Sequence, residues 1–444
     1  MNLTAGQRKI FGFTWITYAG FYLCRKNLSI ALPLLAGVAG LRSFQLANIV
    51  FGYSFLYAVG QFGCGFLSDK IGPKRVVGAG LLIIVGSNVM MGLHASVTWL
   101  LLFACLNGAG QSTGWSGLVK TMASWFSYEN RGVVMAWWGT NYVLGGFLAT
   151  AFATWAVSQN SPLIHLGWAR GFLFPALLLA IIIPFFFLNV SDSPATAGNL
   201  FDQREGRHSE IPSRTSWADL AMLLRKPSLW TIGTSYFFLE LCRYALMFWL
   251  PYYMVLRLHY EVQAAGYLSS LYELVGIGGA LLAGYVSDKF NQSRRAPVSA
   301  VMLGGLSLVM LLQPVLVHAG LAGMGVVISL AGFLSYGPDT LLSGAAAQDV
   351  GETRAAATAS GLIDGIGHLG ALVSPYLVIF VSERYGWDRL FFIFAGTALL
   401  AGLILLPLWN LKGSMQTNPL LRRTGLAGGS LEGARQDFSE KAST

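Results

Sequence analysis

Two arginines stand where a chain this apolar has little reason to hold one. "LCRKNLSIALP" runs from Leu23 to Pro33, and 218 positions on "LCRYALMFWLP" runs from Leu241 to Pro251. Each segment places an arginine, Arg25 or Arg243, directly after Leu-Cys and eight residues before a proline. A guanidinium presents a fixed fork of donors that matches phosphate oxygens. At mid-bilayer it costs on the order of 3 kcal/mol, so it must face a partner or a wet cavity. Two such groups converging from equivalent positions fit one doubly charged phosphate.

The competing reading is ion pairing. Glu240 lies three residues before Arg243, close enough to meet it on one helix face. Arg25 instead adjoins a second cation, Lys26, and its segment contains no carboxylate. Asp364 and His368, in "GLIDGIGHLG", are four apart and share a helix face, as an intrahelical pair or as groups that shape selectivity. Asp339 follows "YGP" inside an apolar run and is a functional hypothesis on that ground, with pairing to Lys120 or capping of a break at Pro338 as alternatives. There is no metal-ligand cluster or nucleophile motif, and "GAGQSTG" lacks the lysine of a phosphate-binding loop. The sequence points to neither an enzyme nor a cofactor.

Apolar helices must position these groups. Of 444 residues, 54% are hydrophobic and 11% charged, against about 25% charged in a soluble domain. A bilayer-crossing helix needs about 20 mainly apolar residues, and the uncharged runs 76–119, 132–169, 171–191, 296–338 and 390–411 supply several. With the segments that hold the isolated charges, the sequence predicts an all-α membrane protein of twelve transmembrane helices. Six precede Ser191 and six follow Ser228, which divides the chain into a half over 1–190, a polar linker over 191–227, a second half over 228–411 and a tail over 412–444 expected to be disordered. The linker is expected to carry a short amphipathic helix at "WADLAMLLRK".

Basic residues collect on cytoplasmic loops. Only Arg42, Arg170, Arg257, Arg384 and Arg389 fall on the side opposite the termini, the linker and "SDKIGPKR", so both termini are expected in the cytoplasm. The net charge of +9 is then mostly topology rather than a nucleic-acid patch. The N-terminus has no cleavable signal pattern, and the four cysteines fall in predicted helices, which implies no disulfide framework.

"GFLSDK" at Gly65–Lys70 returns as "GYVSDK" at Gly284–Lys289, 219 positions on, nearly the offset of the arginine segments. Shared spacing of two unrelated features indicates duplicated halves. Parallel six-helix halves joined by a cytoplasmic linker resemble the major facilitator build, with substrate bound at mid-membrane between them. Gly65, Asp69, Gly72, Lys74 and Arg75 resemble that superfamily's signature loop, and Gly284, Asp288, Arg294 and Arg295 form a weaker copy. An acid beside basic residues at helix ends can latch and release as the halves rock, which gives Asp69, Lys74, Arg75 and Asp288 a gating role. The small residues of helices 5 and 11 read as helix-contact surface.

"YAGFYLCRKNLSIALPLL", "GWSGLVKTMASWFSYENRG", "LCRYALMFWLPYYM", "YELVGIGGALLAGYVSDK" and "YGPDTLLSGAAAQDVG" together resemble the organophosphate:phosphate antiporters, over nearly the whole chain. The resemblance implies exchange of a small organophosphate, of the sugar phosphate or glycerol phosphate class, for inorganic phosphate. It places phosphate on Arg25 and Arg243, with Lys26, Tyr18 and Tyr22 nearby, and puts Glu273 on the family's helix 8 glutamate. The sequence departs where the glycerol phosphate and hexose phosphate carriers have a helix 5 histidine and a helix 2 lysine: Tyr142 and Gln61 stand there. It further implies a monomer in the bacterial cytoplasmic membrane, with a phosphorylated metabolite, inorganic phosphate and the bilayer as partners. A membrane sensor of sugar phosphate and a proton-coupled organic anion carrier remain the alternatives.

Overall fold

The computed structural model describes residues 3–37, 40–126, 128–194, 217–291 and 294–411. Twelve long helices run through them: α1 (Ala5–Gly37), α2 (Ser43–Ile71), α3 (Pro73–Leu93), α4 (Val97–Trp125), α5 (Tyr128–Val157) and α6 (Arg170–Asn189), then α7 (Pro227–Leu256), α8 (Val262–Tyr285), α9 (Arg295–Leu316), α10 (Gly320–Thr340), α11 (Ala347–Tyr385) and α12 (Trp387–Ile404). A short helix at Trp217–Leu224 precedes α7 where the amphipathic stretch was expected. The expected tail, 412–444, and the linker residues 195–216 lie outside the described residues.

Helix packing repeats with an offset of six. α1 packs on α5 as α7 packs on α11, α2 on α4 as α8 on α10, and α3 on α6 as α9 on α12. Small residues permit the closest of these approaches. A Cβ on Gly108 of α4 would stand 2.1 Å from the Tyr53 carbonyl oxygen of α2, and one on Gly332 of α10 would stand 2.0 Å from the Tyr272 carbonyl oxygen of α8. Gly145 on α5 meets the Ala19 backbone, and Gly370 on α11 meets that of Phe237. Without a hydrophobic drive between helices in lipid, such close backbone approach is a main source of association. The result is a major facilitator fold of two pseudo-symmetric six-helix halves.

Between α2 and α3 the signature loop turns at Gly72, whose φ of 93° suits glycine and whose Cβ would lie 2.7 Å from Asp192 Oδ2. Pro73 then opens α3, where its missing N–H leaves no helical bond unmade.

Six helical stretches are long and apolar enough to cross a bilayer by length and composition alone, covering α3, α6 and α8 to α12. The five helices that fall short, α1, α2, α4, α5 and α7, include those carrying Arg25, Lys26, Gln111, Glu240 and Arg243, so polar site residues dilute their hydropathy.

The halves meet through α1 with α7, α2 with α11, and α5 with α8. At the end that carries Arg42, Ser43 and Tyr252 hydroxyls lie 2.9 Å apart, and Tyr376 OH donates to Asn48 Oδ1 at 3.0 Å. Gly266 of α8 sits against Thr154 of α5 on the same side. Side-chain contacts join the halves from the level of Arg25 to this end.

Candidate functional site

Residues 20–33 of α1 are buried without interruption, so Arg25 has no route to the bilayer surface and must be satisfied within the protein. Its Nε donates to Gln111 Oε1 and its Nη1 to Tyr22 OH, both at 3.2 Å. The guanidinium carbon lies 4.5 Å from the Tyr22 ring centroid and 5.0 Å from that of Tyr57. Gln111 is fixed in turn, its Nε2 donating to the Phe21 carbonyl at 2.9 Å. Nη2 is buried and has no partner among the described residues. Arg25 therefore holds one prong of its fork ready between aromatic walls, with no carboxylate against it.

Arg243 is arranged differently. Its Nη1 donates to Glu240 Oε1 at 2.5 Å and to Asp339 Oδ1 at 3.2 Å, and Tyr236 OH donates to the same Asp339 oxygen at 2.8 Å. The guanidinium lies 4.9 Å from the Tyr336 ring. Asp339 thus finds its cation on α7. The suggested partner Lys120 donates instead to the Ser68 carbonyl at 3.0 Å, so that expectation is corrected: the helix packing carries Asp339 toward α7.

Lys26 and Glu273 form an ion pair between α1 and α8, buried on both sides. Gly146 of α5 makes room for it, since a Cβ there would stand 3.1 Å from Glu273 Cγ and 3.7 Å from Lys26 Cε. Tyr142 lies one turn earlier on α5 and stacks on Tyr336 with ring centroids 6.4 Å apart. Tyr18 is buried in an aromatic cluster with Phe21, Tyr22, Trp115 and Trp138. His368 Nδ1 stands 3.8 Å from Asp364 Oδ2 but 2.8 Å from the Asp364 carbonyl oxygen. A carbonyl only accepts, so Nδ1 donates to it, while Nε2 lies 3.4 Å from Tyr244 OH. Gln61 sits half-buried on α2, one turn past Tyr57.

At the Lys74 end, Asp288 pairs with Arg295 Nη1 at 2.5 Å, and Arg295 Nε lies 3.6 Å from Asp349 Oδ2, which ties the ends of α8, α9 and α11. The Lys74 backbone N–H donates to Asp192 Oδ1 at 2.7 Å, and Arg75 is exposed. The side chain of Asp69 lies outside the described residues.

Sequence reasoning missed Gln111, Tyr57, Tyr236, Tyr244 and Tyr336. A signal for Gln111 was available, because a glutamine within a 44-residue uncharged run needs a partner as a buried charge does.

Paired six-helix halves thus enclose a layer of buried cations and carboxylates. The Major Facilitator Superfamily model matches residues 14–375. The glycerol-3-phosphate transporter of Bacillus subtilis (strain 168) is 30% identical over 422 residues, covering 90% of this chain and 92% of that one. A probable hexose phosphate transport protein of Chlamydia trachomatis is 28% identical, covering 91% of each. A bacterial homologue of the human lysosomal transporter Spinster, in an inward-facing occupied conformation, superposes with a TM-score of 0.74 at 14% identity, over 92% of this chain and 97% of that one. The chain belongs to the Major Facilitator Superfamily, in the group of its glycerol-3-phosphate and hexose phosphate transporters.

Proposed function

We propose that the chain exchanges a small organophosphate for inorganic phosphate by alternating access, and that the phosphoryl group binds between Arg25 and Arg243. The observation that carries this is Arg25 Nη2, a buried donor without a partner on a guanidinium without a carboxylate. An anion with several oxygens satisfies it, and phosphate matches the fork. The relatives named for glycerol-3-phosphate and hexose phosphate support a phosphorylated metabolite as the ligand.

Alternation needs one interface that is closed while another is open. Contacts between the halves at the Arg42 end support a state closed on that side, with access from the Lys74 side. The distribution of Lys and Arg supports the cytoplasm on that side, with both termini there. The halves over 1–190 and 228–411 then rock about the site, and the cluster of Asp288 and Arg295 acts as a latch at the cytoplasmic ends. Glu273 balances Lys26 while the cavity is empty. The reading is of a transporter rather than an enzyme.

Counterflow into proteoliposomes loaded with labelled phosphate tests it. Phosphate esters should drive exchange in the wild type, and Arg25→Lys should nearly abolish it at unchanged membrane content, because lysine keeps the charge and loses the fork. Wild-type exchange in Arg25→Lys would remove the site from this residue. Absence of exchange in the wild type with every ester would remove the activity.

A further inference from the structure

The layer between the halves holds three cations, Arg25, Lys26 and Arg243, and four carboxylates, Glu240, Glu273, Asp339 and Asp364, among the described residues. Their pairing is uneven. Lys26 is neutralised by Glu273 across the halves, and Arg243 faces Glu240 and Asp339 together. Arg25 has no carboxylate, its side chain is 6% exposed, and its Nη2 is unpartnered. Glu273 Oε2 is likewise buried without a partner. Asp364 is the most open of the four acids, 36% exposed against 7% for Asp339, and His368 stands 3.8 Å from its carboxylate. His368 Nδ1 lies closer to the Asp364 carbonyl oxygen, at 2.8 Å, than to the Asp364 carboxylate.

A phosphate dianion entering this layer adds two negative charges where carboxylates already outnumber cations. In a water-poor interior, uncompensated charge is expensive, and a compensating charge has to arrive with the ligand or from solution. The ring of Tyr57 joins the two places: the Arg25 guanidinium is 5.0 Å from its centroid and the His368 ring 5.4 Å. A ligand whose phosphoryl group sits at Arg25 therefore carries its organic part past Tyr57 toward Asp364.

We infer that the substrate is a phosphate monoester whose organic part bears a protonated amine, an aminoalkyl or amino-sugar phosphate, with the ammonium group on Asp364. This rests on phosphoryl binding at Arg25 and names the substrate class of that same site.

The test compares matched esters as inhibitors of labelled phosphate exchange in proteoliposomes: glucosamine-6-phosphate against glucose-6-phosphate, and ethanolamine phosphate against ethyl phosphate. The amino ester of each pair should inhibit at about tenfold lower concentration, the effect of one added charge-assisted contact. Asp364→Asn should bring the ratio of each pair close to one, and Asp364→Glu should retain it. Equal inhibition within the pairs, or preference for the neutral esters, with phosphate exchange intact overturns the inference and leaves the antiport reading standing. Proton uptake accompanying the neutral esters without amine preference also overturns it, because the compensating charge is then a proton. No exchange with any ester overturns both.

Discussion

Lys26 Nζ on α1 and Glu273 Oε1 on α8 are bound to each other across the two halves, with side chains 3% and 2% exposed. The bond lies at the level of the site, on the helices that flank Arg25 and the α5 glycine Gly146. Removing one partner leaves a buried, uncompensated charge. Breaking such a pair costs about 3–5 kcal/mol, whereas replacing both partners can be nearly neutral. Lys26→Met and Glu273→Gln should each lower the melting temperature in detergent, and the double variant should recover most of the loss. Additive losses in the double variant would mean that the two side chains are not energetically coupled.

Gln111 is expected to act on the ligand only through Arg25. Its Oε1 accepts from Arg25 Nε at 3.2 Å while its Nε2 is fixed to the Phe21 carbonyl. Gln111→Leu removes both bonds and lets the guanidinium turn, so half-saturation for phosphate should rise about tenfold, the cost of one hydrogen bond to a charged group. Gln111→Glu should instead pair with Arg25 and block phosphate. Unchanged half-saturation in the leucine variant would show that aromatic contacts from Tyr22 and Tyr57 suffice to aim Arg25.

Why Arg25 and Arg243 were legible as a pair, and their surroundings were not, follows from the kind of signal each leaves. A charge in an apolar helix is conspicuous at any position, and the repeated spacing identified equivalent helices before any contact was known. Twelve helices and their two halves were readable for the same reason. Partners brought by packing were not. Glu240 could be assigned to Arg243 because they share a helix turn, but Asp339 reaches it only through the approach of α10 to α7. Lys26 and Glu273 are 247 residues apart, and no local pattern joins them. Tyr57 and Tyr336 are tyrosines among 17, distinguished only by the guanidinium above each ring.

The seal at the Arg42 end should depend on Gly266. A Cβ there would stand 2.1 Å from Thr154 Oγ1 and 2.9 Å from Thr154 Cβ, so α8 and α5 could not approach as they do. Overpacking costs about 1–3 kcal/mol, enough to shift the balance of states by about tenfold or more. In Gly266→Ala, a cysteine replacing Ser269 should react faster with an impermeant thiol reagent applied from the Arg42 side, and Thr154→Ala should reverse much of the change. Equal labelling with and without the methyl group would place the seal elsewhere.

Selectivity among esters should respond to Tyr142 and Gln61, the two positions where the family resemblance leads to the expectation of a histidine and a lysine. Tyr142 stacks on Tyr336, which lies beneath Arg243, so a change at Tyr142 is felt at that guanidinium. Gln61 is half-buried one turn past Tyr57, beside the path from Arg25. Tyr142→His with Gln61→Lys adds positive charge to a layer in which carboxylates outnumber cations. A charge-assisted contact is worth roughly 1.5–3 kcal/mol before desolvation is subtracted. The gain should be greatest for the ester with the most negative charge, because specificity is a difference of affinities. Inhibition of labelled phosphate exchange by glycerol-3-phosphate, glucose-6-phosphate and 3-phosphoglycerate should therefore change order, with 3-phosphoglycerate rising by about tenfold relative to the other two. If the order does not move, the discriminating contacts lie instead among Tyr18, Glu240, Asp339 and Asp364.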